Sequence, residues 1–297
     1  MIHLQLTLFS IIVIGIILKR RGIISESGQK TLSDLTINLI LPCNIIESFV
    51  GGIEISNELV RNCGYALVIS LFIQCFSIFM GRYVFAGFAE EKRKIFIYGL
   101  IVTNSSFIGI PIINAIYGNV GVLYTSFFQI PVRVTMWTAG LKLFTDVDEK
   151  EAFRKVIFHP CIVAMGIGMA LMFLPFEVPV FINNTLISIS KCMIPVSMLA
   201  IGAMLSESKI KQLFDLSVLY YSGIRLVVYP LLMGIILNVL QLDTILINVT
   251  VLLTGMPMAG TTAILADKYG SDSRFASQVI FVSTLLSIVT IPMLGTG

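Results

Sequence analysis

The chain is poor in almost everything that a soluble fold or a catalytic centre relies on. Charged residues make up 12% of its 297 positions against 56% hydrophobic ones, and the mean hydropathy is +0.94. Both values lie well outside the range of soluble domains and imply a polytopic membrane protein. Histidine is limited to His3 and His159, far apart in sequence, so no metal site is expected. Cys43, Cys63, Cys75, Cys161 and Cys192 stand at irregular spacing, mostly inside apolar stretches. They form neither a C-x-x-C pair nor a disulfide framework, and read as small core residues. No nucleophile, metal cluster or acid/base pair occurs at membrane depth, which excludes an enzyme and implies no cofactor. The net charge of +3 says little by itself, since in a membrane protein the placement of charge matters more than its sum. Nucleic acid is not an expected partner; a lipid bilayer is.

What is abundant is apolar sequence of crossing length. About 20 apolar residues at a rise of about 1.5 Å cover a hydrocarbon core of about 30 Å. Ten stretches qualify, at 2–18, 31–50, 60–81, 95–117, 121–144, 156–175, 179–205, 214–240, 244–267 and 273–295. The first lacks a preceding basic region and a small-x-small cleavage site, and its basic cluster Lys19, Arg20, Arg21 follows it. It reads as a retained helix and not a signal peptide.

Basic residues alternate strictly between connections. Those after spans 1, 3, 5, 7 and 9 carry the clusters around Lys19, Lys92, Lys150, Lys209 and Lys268, whereas the opposite connections carry only Arg61. The positive-inside rule then puts both termini outside the cytoplasm of the plasma (inner) membrane. The most hydrophilic connection, 145–155, divides the chain into repeats 1–150 and 151–297. Five spans per repeat make the second inverted relative to the first, the architecture of many secondary transporters. The expected fold is therefore all-α, ten transmembrane helices in two inverted repeats.

Matching landmarks support the repeat. The second span of each half carries a proline, Pro42 and Pro195, and the fourth carries a Gly/Pro interruption, around Pro111 in TNSSFIGIPIIN and Pro257 in LLTGMPMAGTTA. A helix-interior proline costs roughly 3 kcal/mol, and in lipid the freed backbone groups need protein or water partners. Helices 4 and 9 are thus expected to break and cross near mid-membrane, with Pro111 and Pro257 at the first positions of half-helices. Such helix starts favour a small anion, above all a carboxylate. Asn104, Ser105, Ser106, Gly109, Thr254 and Gly255 flank the breaks, and Thr261 and Thr262 follow the second. Hydroxyls there either face substrate or bond back to their own helix.

Arg133, Lys191 and Arg225 lie toward span centres without a mid-depth carboxylate to pair with, so each needs a partner or water. Gln129, Arg133 and Trp137 share the i, i+4, i+8 face of one helix and could hold an amphipathic anion. Alternatively Arg133 caps carbonyls freed by a break, and Lys191 and Arg225 snorkel toward water.

The segments LILPCNIIESF, TNSSFIGIPIINAIYG, IPVSMLAIGAML, RLVVYPLL and MPMAGTTAILADKYGSDSRFASQVIFVSTLLSIVTIP together resemble, in order and over nearly the whole chain, bacterial members of the auxin efflux carrier family. The resemblance implies broken crossover helices 4 and 9, as in sodium/bile-acid-type symporters. It also implies a scaffold part (helices 1, 2, 6 and 7) and a transport part (3–5 and 8–10). By resemblance Asn104 to Pro111, Gln129 and the Pro257 region line the substrate site, with Pro42 and Pro195 on the scaffold side, and carboxylates such as malate or malonate are the substrates. Arg225 lies in a family-like stretch, which implies a structural role. The chain lacks the long cytoplasmic loop of the plant carriers and an acidic residue within helix 3. The expected function is efflux or exchange of a small organic anion. A sodium-coupled symporter and a non-transporting sensor are the alternatives, and proton or sodium coupling and a homodimer stay open.

Overall fold

The structure is a computed structural model that describes residues 2–50, 56–146, 148–173, 178–206 and 215–294. The outer ends of several expected spans, at 174–175, 214 and 295, and the basic residues Lys209 and Lys211 lie outside the described residues. Among the described residues fifteen α-helices follow in order: α1 Ile2–Arg20, α2 Glu26–Leu35, α3 Leu41–Val50, α4 Asn57–Val84, α5 Glu90–Ile101, α6 Ile110–Thr135, α7 Glu149–Ile157, α8 Pro160–Phe173, α9 Val180–Ser190, α10 Met193–Ser206, α11 Leu216–Gly223, α12 Tyr229–Val239, α13 Thr244–Thr254, α14 Thr261–Lys268 and α15 Ser273–Leu294. Single π-helical turns at Thr36–Ile40, Ser105–Gly109, Met136–Gly140 and Ile224–Val228 join or extend them. Among the described residues no β-strand occurs, only an isolated antiparallel bridge between Thr103 and Met258. Helix is what such apolar runs must form, because in lipid each backbone group has to find its partner within the segment.

Among the described residues five helical stretches are long and apolar enough to cross a membrane: Asn57–Val84, Ser105–Leu143, Val180–Met204, Leu216–Val239 and Ser273–Leu294. A sixth results if Lys150–Ile157 and Pro160–Leu171 count as one. The second of these is interrupted at Gly118, whose φ of 56° and ψ of −149° end one helix and begin another. Only glycine takes that backbone conformation without strain.

The chain forms two compact units, Met1–Arg61 with Ser106–Ser126 and Ile157–Ser208, and Asn62–Ser105 with Phe127–Val156 and Lys209–Gly297. In the first, α1 packs on α10 through Gly15 and Gly202. A Cβ at Gly202 would stand 2.2 Å from the Ile12 carbonyl oxygen, and one at Gly15 would stand 2.6 Å from that of Leu199. Small residues let the two backbones meet, which is how membrane helices gain dispersion energy without a hydrophobic driving force. α3 packs on α8 and α9.

The second unit has an aromatic centre. The Phe96 ring stacks on Tyr221 at 5.0 Å between centroids, and Phe85 lies 5.0 Å from Phe96. Buried Tyr229 shares a 2.5 Å hydrogen bond with Ser77 and donates to the Ile73 carbonyl at 3.0 Å. Asp215 and Asp243 cap α11 and α13, accepting from the backbone N–H groups of Ser217 and Leu246 at 2.8 and 2.9 Å.

Candidate functional site: a crossing of two broken helices

The site forms where two helices of the second unit stop and their chains run side by side. α5 ends at Ile101 and Val102 turns extended, with φ −114° and ψ 105°. α13 ends at Thr254, and Gly255 folds its N–H back to the carbonyls of Val251 and Leu252 at 3.0 and 3.1 Å. The two interruptions then pair: Asn104 N–H donates to the Pro257 carbonyl at 2.8 Å, and Ala259 N–H donates to the Val102 carbonyl at 3.3 Å. Met258 N–H reaches Ser283 Oγ at 3.4 Å. Backbone groups released by one break are thus taken up by the other, the condition for irregular chain at membrane depth.

Two further carbonyls are satisfied by Arg225. Only 1% exposed, it donates from Nε to the Met256 carbonyl at 3.0 Å and from Nη1 to that of Leu100 at 3.2 Å. It also lies 5.3 Å from the centre of the Tyr229 ring. The capping role that the sequence offered for Arg133 therefore belongs to Arg225. The reason is geometric, since a planar guanidinium presents donors to two carbonyls at once.

Side chains gather beside the crossing. Gln129 Nε2 donates to Ser105 Oγ at 2.6 Å, and Ser105 Oγ in turn points to the Thr103 carbonyl at 3.4 Å. Gln129 Oε1 and Thr262 Oγ1 are buried and accept no hydrogen bond from the described residues. The buried Tyr98 hydroxyl interacts with Thr261 and Arg133, short of a full hydrogen bond. Arg133 is half-buried, with Nη1 3.7 Å from the Met136 sulfur. The second unit therefore brings together Asn104, Ser105, Gln129, Arg133 and Pro257. Thr254 and Gly255 stand just before the second break, where the Thr254 hydroxyl bonds back to Val251 at 2.8 Å.

The remaining sequence candidates, Ser106, Gly109, Pro111, Pro42 and Pro195, belong to the first unit. Pro42 and Pro195 stand in the opening turns of α3 and α10. Pro111 does not mark the break: helical structure already begins with the turn Ser105–Gly109, and the extended residues are 102–104. Pro257 likewise precedes α14 by four residues instead of opening it. Trp137 lies in the π-helical turn Met136–Gly140, and Lys155 lies 5.2 Å over its ring. Lys191 is exposed in the turn between α9 and α10. Tyr98 was not among the sequence candidates. A phenol inside an otherwise apolar run, one turn before the first break, is the signal that could have found it. Among the described residues no group of three His, Cys, Asp or Glu side chains could hold a metal ion.

Comparison with known proteins points to transporters. Residues 1–294 match the family described as "Membrane transport protein". The chain is 25% identical over 292 residues to an "Uncharacterized transporter" of Methanothermobacter thermautotrophicus, covering 97% of this chain and 95% of that one. It is 23% identical over 304 residues to "Uncharacterized transporter YfdV" of Escherichia coli K12, covering 97% and 94%. A shorter match, 30% identical over 139 residues, covers 46% of this chain and 43% of a Rhizobium meliloti protein named "Putative malonate transporter".

Proposed function

We propose, from the premise that this chain belongs to the membrane transport protein family, that of the auxin efflux carriers, that it is a secondary transporter for a small mono- or dicarboxylate. The observation that carries this reading is the mutual pairing of the breaks at 102–104 and 255–260, with Ser105, Gln129, Tyr98 and Arg133 beside it. Helical segments restart at Ser105 and Thr261, and the unpaired N–H groups of a helix start favour an anion. Arg133 supplies the full charge, and Ser105 and Tyr98 supply hydroxyl donors. The malonate named for the Rhizobium relative is a substrate of this class.

The reading includes ten membrane crossings in two inverted repeats, 1–150 and 151–297, with both termini outside the cytoplasm and alternating access around the crossing. The Gly118 interruption supports it, because it divides Ser105–Leu143 into two segments. A homodimer and an ion gradient as driving force belong to the same proposal. A second reading is a sodium-coupled symporter. At the crossing, the carbonyls of Leu100 and Met256 are already engaged by Arg225, so such a protein would hold its cation elsewhere.

Reconstitution into liposomes tests the proposal. Radiolabelled malonate should show saturable flux that excess unlabelled dicarboxylate suppresses. Saturable binding without flux would favour a sensor, and absence of both would reject the carboxylate reading. Flux with and without a sodium gradient at fixed pH separates uncoupled transport from symport.

A further inference from the structure

Away from the crossing, the first unit contains polar groups that the proposed transport site does not use. Asn44 and Glu47 stand about one turn apart on α3, Ser190 ends α9, and Asn119 follows the interruption at Gly118. Asn44 is fully buried and Ser190 is 5% exposed. Asn44 Nδ2 donates to Ser190 Oγ at 2.7 Å. Ser190 Oγ donates to Glu47 Oε2 at 3.4 Å, and Asn119 Nδ2 donates to Glu47 Oε1 at 3.3 Å.

The lone pairs in this cluster outnumber the protons available to them. Charge-assisted hydrogen bonds to a carboxylate are ordinarily about 2.5–2.9 Å long, so both bonds to Glu47 are stretched. Among the described residues Glu47 has no ion-pair partner, and Lys191, next to Ser190 in sequence, is exposed. On the same helix the buried Asn44 Oδ1 accepts no hydrogen bond from the described residues. Glu47 is half-buried, and a carboxylate held by two long bonds beside a buried amide oxygen short of donors favours the arrival of a positive charge.

We propose that Glu47, Asn44 and Ser190 form a binding site for one monovalent metal cation of the sodium type. The Glu47 carboxylate and Ser190 hydroxyl oxygens, joined by the Asn44 amide oxygen once the amide turns over to exchange it for the nitrogen that faces Ser190, are hard donors suited to a hard cation. One carboxylate with two neutral oxygens balances a single positive charge, whereas a divalent ion would leave a surplus charge in low dielectric. Asn119 orients the carboxylate from its other side. Occupancy ties α3, α9 and the turn at Gly118 into one cluster, so it is read as stability of the first unit and requires no organic anion.

Thermal unfolding of the full chain in detergent tests this, with sodium chloride exchanged against choline chloride at constant ionic strength and fixed pH, and without any carboxylate ligand. Binding to the folded state alone makes Tm climb once sodium exceeds its Kd. Glu47→Gln should abolish the climb, and Ser190→Ala and Asn44→Ala should move its onset at least tenfold higher in sodium. Thr185→Ala, on an exposed position of α9, should keep it. If Glu47→Gln does not fold, Ser190→Ala, which removes one hydroxyl, decides. No sodium response in the unmodified chain, an equal response to choline, or full responses in both Glu47→Gln and Ser190→Ala would overturn the site. So would stabilisation by acid that takes the place of sodium. Because flux is not the readout, failure of carboxylate transport leaves this result untouched.

Discussion

Replacing Arg225 separates what its charge does from what its shape does. The native side chain donates to the Met256 and Leu100 carbonyls at 3.0 and 3.2 Å from a fully buried position. A hydrogen bond from a charged donor contributes about 1.5–3 kcal/mol, so the pair contributes about 3–6 kcal/mol. Against this stands the cost of placing an arginine at membrane depth, about 2.5–3.5 kcal/mol on the translocon scale. Arg225→Met loses both bonds and removes that cost, a net change from about 0.5 kcal/mol of stabilisation to about 3.5 kcal/mol of destabilisation, centred near about 1.5 kcal/mol. Arg225→Lys keeps the cost, and its compact ammonium cannot span two carbonyls as the fork does. It loses one bond, about 1.5–3 kcal/mol. The substitution that preserves charge is therefore expected to be at least as damaging as the one that deletes it. At roughly 2–4 °C per kcal/mol, Tm in detergent should fall by several degrees for Lys and by no more for Met. A lysine variant close to wild type, with methionine far below it, would show that charge and not the two-carbonyl cap holds the crossing.

The other expectations are checked by similar means. Arg133→Gln should weaken malonate binding about tenfold to a hundredfold, the worth of one charge-assisted hydrogen bond, while shifting Tm less than Arg225→Gln does; equal binding losses in the two variants would remove Arg133 from the site. Gly202→Ala sets a Cβ 2.2 Å from the Ile12 carbonyl and should lower Tm by the equivalent of about 3 kcal/mol. Gly64→Ala, which meets open space, should stabilise α4 by about 0.5–1 kcal/mol, so similar Tm changes for the two would refute close packing of α1 on α10. Stability should also depend on acid. The Ser271 hydroxyl, with help from Lys94, holds the Glu91 carboxyl below its usual range. The Ser217 hydroxyl, with Lys92, does the same for Asp215. Carboxyls lowered in the folded state stabilise it above their unfolded pKa of about 4 and lose that contribution as pH falls through the folded value. Tm should therefore be level near neutrality and decline below about pH 4, less steeply in Asp215→Asn.

The parts of this molecule legible in its sequence are those governed by local rules. Apolar length marked the chain as all-helical, since lipid leaves the backbone no alternative, but against the ten stretches it offered only five helical stretches among the described residues, or six with the bent pair, are long enough to cross. Glycine and proline clusters correctly marked 95–117 and 244–267 as interrupted, because neither residue continues a helix without loss. Local rules misplaced the first interruption by about two turns. Proline lacks an N–H wherever it stands, but which residues turn extended is decided by the partner chain that receives their hydrogen bonds. Here the match of Asn104 to Pro257 and of Val102 to Ala259 puts the break at 102–104. The same limit explains the arginines. Arg133 and Arg225 look alike as isolated charges in apolar spans, and hydrophobic period cannot tell them apart. Only the approach of α5 and α13 gives Arg225 two carbonyls within reach of one guanidinium, while Arg133 is left half-buried beside Tyr98. A buried arginine whose donors are consumed by backbone is structural. A half-buried one such as Arg133, beside the Tyr98 hydroxyl, is the better place to look for a substrate carboxylate.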